Sequence, residues 1–116
     1  MSVTLKNLSI PTGGRLEIDI KVSAQVNFSA LAARRKISRF VLSQISNLLH
    51  GGEPELVVAK RICWRVPIIL SLPARGDIGS VGTIDVDVET GQILAGPEHI
   101  ERIAKHAEDL ASRAIS

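Results

Sequence analysis

The chain has 116 residues, 45% hydrophobic and 22% charged, with Phe28, Phe40 and Trp64 as its aromatic residues and no tyrosine. Its 14 Lys and Arg against 12 Asp and Glu leave a formal charge of +2, too small for the overall field to gather nucleic acid, and so few rings give single-stranded bases little to stack on. A chain of this length buries enough surface for one core without a disulfide or a metal, so a single domain over residues 1–116 is expected.

Val3 and Leu5 open a first short strand, and Pro11-Thr12-Gly13-Gly14 supplies a turn. From Arg15 to Val22, Leu16, Ile18, Ile20 and Val22 alternate with Arg15, Glu17, Asp19 and Lys21. That is the period of a strand with one wet face, and the two runs predict an N-terminal hairpin. Ser29 is placed to cap a helix running to about His50, where Gly51-Gly52 and Pro54 stop it. Glu55 to Val58 fits either a separate edge segment or the start of the strand that carries Trp64, with Lys60-Arg61 as a bend or a solvent-facing pair.

Residues Cys63 to Leu94 hold two β-rich runs around a Pro/Gly loop. Trp64, Val66, Ile68 and Leu70 alternate with Arg65, Pro67 and Ile69, and Ile84, Val86 and Val88 with Asp85, Asp87 and Glu89. Trp64 should be buried where this hairpin meets a helix. Glu89-Thr90-Gly91-Gln92 reads as a turn in which Gly91 takes a positive φ, after which Ile93-Leu94 returns to the core. A last helix begins at Pro97, with an apolar stripe of Ile100, Ile103, Ala107, Leu110 and Ala114. The predicted fold is α+β, a small antiparallel sheet with two helices on one side, in the order β-β-α-β-β-α.

At 100° per residue Ile37, Val41, Ile45 and Leu48 share one face of the first helix with Ala30, and Arg34 falls in the middle of it. Arg34 therefore either snorkels to solvent, pairs with an acidic residue at the sheet edge, or contacts an acidic partner. Arg35, Lys36 and Arg39 form a basic opposite side, solvated or tracking phosphates. Asp85, Asp87 and Glu89 project from one strand face but lie roughly 7 Å apart, too far to converge on a cation, and Arg65 is the expected partner across the hairpin. His99 and His106 are two turns apart on the last helix, His50 is expected at a helix C-terminus, and Cys63 is expected as a buried small hydrophobe in a reducing compartment. No nucleophile with a base, no phosphate loop and no cofactor motif is present, so a non-catalytic protein without cofactors is expected.

The helix followed by a hairpin, from Ser29 to Leu94, with Trp64 on the first strand and Val86-Asp87, Thr90 and Gly91 in a V-D-x-x-T-G ending, resembles a PepSY-type repeat. The whole chain also resembles short prokaryotic proteins of antitoxin type. Such resemblances imply a partner protein rather than a substrate. The N-terminus has no leader pattern and no stretch reaches bilayer length, so a cytoplasmic protein away from membranes is expected. The expected partner is another protein or a second copy, as a homodimer; the last helix, with Ile103 and Leu110, either forms the pairing seam or packs its stripe on its own sheet. The alternative is a nucleic acid held by Arg34, Arg35, Lys36 and Arg39.

Overall fold

The computed structural model describes residues 3–5 and 23–115. The architecture is α+β. Helices α1 (Ala30–Gln44) and α2 (Pro97–Ile115) pack on one face of a sheet made of β1 (Val3–Leu5), β2 (Leu49–Gly51), β3 (Glu55–Val58), β4 (Ile62–Leu72), β5 (Gly76–Asp87) and β6 (Ile93–Leu94). The strands run β1-β3-β4-β5-β6, with β2 beside β4. All pairs are antiparallel except β1 with β3, which is parallel with Val3 opposite Leu56.

The central hairpin lies where the alternation placed it, as β4 and β5, with Trp64 opposite Val86 and Arg65 opposite Asp85. Glu55–Val58 is a strand of its own, set off from β4 by a bend over 59–61. Five strands, not two, separate the helices. The expected turn at Pro11 to Gly14 and the strand over Arg15 to Val22 lie outside the described residues.

The first helix is shorter than its periodicity suggests. It begins as expected at Ser29, whose Oγ accepts the Ala32 N–H at 3.0 Å, but ends at Gln44. Ser46 accepts the Leu48 N–H on its side chain and the Leu49 N–H on its carbonyl, making a local turn. Leu49 then pairs with Leu70 and His50 with Ile69, so His50 is a strand residue and not part of a helix C-terminus. The β4 edge offers a full ladder there, which outweighs one more helical turn.

One core fills the space between sheet and helices. Trp64, Val66, Ile68, Leu70 and Leu72 of β4 and Val81, Ile84 and Val86 of β5 meet Ala33, Ile37 and Val41 of α1 and Ile103 and Ala107 of α2. The apolar stripe of α2 is thus spent on its own sheet. Ile103 is 2% exposed, and Leu110 is half-buried over Gly79. Of the two readings of the α2 stripe, packing on its own sheet is the one observed for Ile103 and Leu110, because β4 and β5 present an apolar face wide enough to take both helices.

Candidate interaction surface

Helix α1 has four sides with four different surroundings. Ala33, Ile37 and Val41 face the core and are fully buried. On the flank toward β2, Arg34 and Ser38 close the outer edge of that strand. Arg34 Nε donates to the Gly51 carbonyl at 3.0 Å, and Ser38 Oγ accepts the Gly51 N–H at 2.9 Å. An unpaired strand edge would otherwise expose both groups. The approach is close enough that a Cβ on Gly51 would sit 3.0 Å from the Arg34 carbonyl oxygen and from Val66. The guanidinium in the apolar face is explained by this contact, with Glu53 3.9 Å away as an exposed counter-charge.

On the opposite flank Lys36 Nζ donates to the Gly91 carbonyl and lies 5.5 Å from the centre of the Phe28 ring. Lys36 therefore ties α1 to the β5–β6 turn and is separated from the other cations. Sequence spacing grouped it with Arg35 and Arg39; the structure does not.

The fourth side faces away from the protein. It carries Leu31, Arg35, Arg39 and Leu42, with Leu31 53% and Leu42 57% exposed. Leu31, Arg34, Arg35, Ser38 and Arg39 line one shallow depression. Among the described residues Arg35 and Arg39 have no ion pair. The two leucines are the residues missed from the sequence, although their spacing with Arg35, at i, i+4 and i+11, is that of one helix face.

The remaining polar groups are individually engaged. Arg65 makes a two-point pair with Asp85, at 2.9 and 3.0 Å, on the sheet face away from the helices, the cross-hairpin partnership expected. Asp87 Oδ1 accepts the N–H groups of Glu89 and Thr90, and Arg61 lies 3.5 Å from its other oxygen. Glu89 accepts the Gln25 N–H at 3.0 Å. His99 Nε2 donates to the Thr83 carbonyl at 2.6 Å, and His106 Nδ1 faces the Val81 carbonyl at 3.4 Å, so both rings of α2 sit along the outer edge of β5. His50 Nε2 reaches Asp77 Oδ1 at 2.9 Å, the oxygen that Ser71 Oγ also contacts. Cys63 is buried, and burial, followed by the charges of Asp85 and Asp87, pushes its thiol pKa up. Among the described residues no group of three His, Cys, Asp or Glu side chains converges, and no helix is long and apolar enough to cross a membrane.

The hydrogen bonds from Thr90 and Glu89 hold the Asp87 carboxyl below the usual carboxylate range, with Arg61 adding to the effect. Because the folded pKa is depressed, the stabilisation is complete above the unfolded value and is lost as pH falls through the folded one. Asp87→Asn keeps an acceptor oxygen but not the charge. The melting temperature of wild type should therefore exceed that of Asp87→Asn at neutral pH, with the gap closing as pH falls below the normal carboxylate pKa. A gap that does not change with pH would show that the charge of Asp87 contributes nothing.

No family model, no curated protein and no solved structure matches this chain.

Proposed function

We propose that the protein is a small non-catalytic cytoplasmic interaction module, of the regulatory-subunit or antitoxin-like kind, and that it binds another protein through the outer side of α1. The observation that carries this reading is the pair of large apolar side chains, Leu31 and Leu42, held more than half exposed around Arg35 and Arg39. Arginine beside exposed apolar anchors is the composition of protein-binding surfaces. The placement of the other groups supports a non-catalytic role, since the one thiol is buried and its pKa is raised rather than lowered as an attacking thiolate requires. With the α2 stripe packed on the sheet, that helix gives no reason to expect a homodimer.

A second reading, a nucleic-acid-binding regulator, is favoured by Arg34, Arg35 and Arg39 lining one depression. Site-specific photo-crosslinking separates the two. A benzophenone amino acid placed at position 42 in the full chain, expressed in its native cell, should give a discrete adduct with another protein, while the same probe at the exposed Lys105 of α2 should not. Nuclease-sensitive adducts at position 42, or none there, would overturn the protein-binding reading.

A further inference from the structure

Resting on that reading of α1, we infer that its partner is an acidic amphipathic helix of a different protein, lying lengthwise so that apolar side chains meet Leu31 and Leu42 and carboxylates meet Arg35 and Arg39. The spacing sets the shape of the occupant. Leu31 and Leu42 are eleven positions apart in one helix, about 16 Å along the axis, three turns. A second helix presents two apolar side chains at that separation, on one face, at i and i+11. Between the leucines, Arg35 and Arg39 stand one turn apart, about 6 Å, which matches carboxylates at i and i+4 on the facing helix.

Charge makes the occupant acidic. Helix α2 carries Glu98 in its first turn and Arg113 in its last, as its own dipole favours; α1 has no acidic residue in its first turn and no basic one in its last. Arg34 and Lys36 are committed to Gly51 and Gly91, so Arg35 and Arg39 are left as cations with no ion pair among the described residues. Apolar ends around a cationic centre complement an acidic helix with apolar flanks.

Other occupants fit less well. In a two-fold pairing of α1 with itself, antiparallel helices would set Arg35 of one copy against Arg39 of the other, like charge on like. A bilayer-seated helix needs a broad apolar face, and this side offers two leucines. Duplex DNA gains from the arginines but nothing from desolvating leucines at both ends of them.

The test titrates the full chain into a dye-labelled, capped, helix-forming peptide of about 18 residues, with two leucines at i and i+11 and two glutamates one turn apart between them. A matched peptide has lysines in place of the glutamates. Wild type should bind the glutamate peptide and discriminate against the lysine peptide about 30-fold or more, a preference that shrinks about tenfold in high salt. Arg35→Glu/Arg39→Glu should reverse the preference, and Leu31→Ala/Leu42→Ala should weaken binding about tenfold with the charge preference retained. Arg35→Gln/Arg39→Gln, which should erase the preference, serves if the reversed variant is not folded by circular dichroism. Equal binding of both peptides by wild type, no binding of either, or tighter arginine-dependent binding of a duplex oligonucleotide or of phosphatidylserine vesicles would overturn the inference. A protein adduct at position 42 together with failure of the glutamate peptide leaves the interaction surface standing and removes only the acidic helix.

Discussion

Replacing Trp64 with alanine is expected to destabilise the protein by about 3 to 5 kcal/mol, the range for deleting a large buried ring. Trp64 is 6% exposed, and its indole Nε1–H donates to the Phe28 carbonyl at 2.7 Å. The ring thus fills the core between β4 and the segment that leads into α1. That same segment is hydrogen-bonded to the end of β5, since the N–H groups of Asn27 and Phe28 both reach the Val88 carbonyl. Losing the ring opens a cavity and leaves the Phe28 carbonyl without its donor. Trp64→Phe separates the two contributions, keeping an aromatic ring in the core while removing the N–H, at a cost of about 1 to 3 kcal/mol if the acceptor is left unsatisfied. Urea unfolding followed by far-ultraviolet circular dichroism measures both variants. An alanine variant with an unchanged midpoint would refute the placement of Trp64 as a core residue.

Gly91→Ala should be costly for two independent reasons. Gly91 sits at φ 73, where a non-glycine residue is strained by about 1 to 3 kcal/mol. A Cβ there would lie 2.3 Å from Phe28 Cζ and 2.6 Å from Cε2, overlap that forces the ring to move, at about 1 to 3 kcal/mol more. Phe28 cannot shift freely, because its carbonyl holds Trp64 and its ring lies beneath Lys36, whose ammonium also caps the Gly91 carbonyl. In a double-mutant cycle, Phe28→Ala should remove the overlap but not the backbone strain, so the two substitutions should cost less together than their separate effects sum to. Strict additivity would show that Phe28 is not the obstacle.

The same contacts divide the cations of α1 into two groups. Lys36 is grouped by sequence spacing with Arg35 and Arg39, yet it is anchored to a backbone carbonyl, as Arg34 is, and those two arginines are not. A basic cluster on a helix is therefore a poor guide to a binding surface until each cation's own contacts are known. Here the separation leaves two arginines framed by two leucines, a narrower and more apolar surface than a four-cation patch.

Local pattern by itself determined the β4–β5 hairpin, the burial of Trp64, the positive φ at Gly91, the cap at Ser29 and the start of α2 at Pro97. Each depends on residues adjacent or nearly adjacent in sequence: alternation, a glycine that alone tolerates its backbone angle, a hydroxyl before a helix, a proline at its first turn. Only tertiary structure decided where α1 ends, because Leu48 and Leu49 satisfy a helical period and a strand equally, and the choice falls to Leu70, the β4 residue that Leu49 pairs with. It decided as well what covers the α2 stripe, since a regular apolar row looks the same whether it meets its own sheet or a second copy. It also separated the cations of α1: Gly51 and Gly91 lie 17 and 55 residues beyond the side chains they hold, and contacts over such distances leave no period in the chain to read.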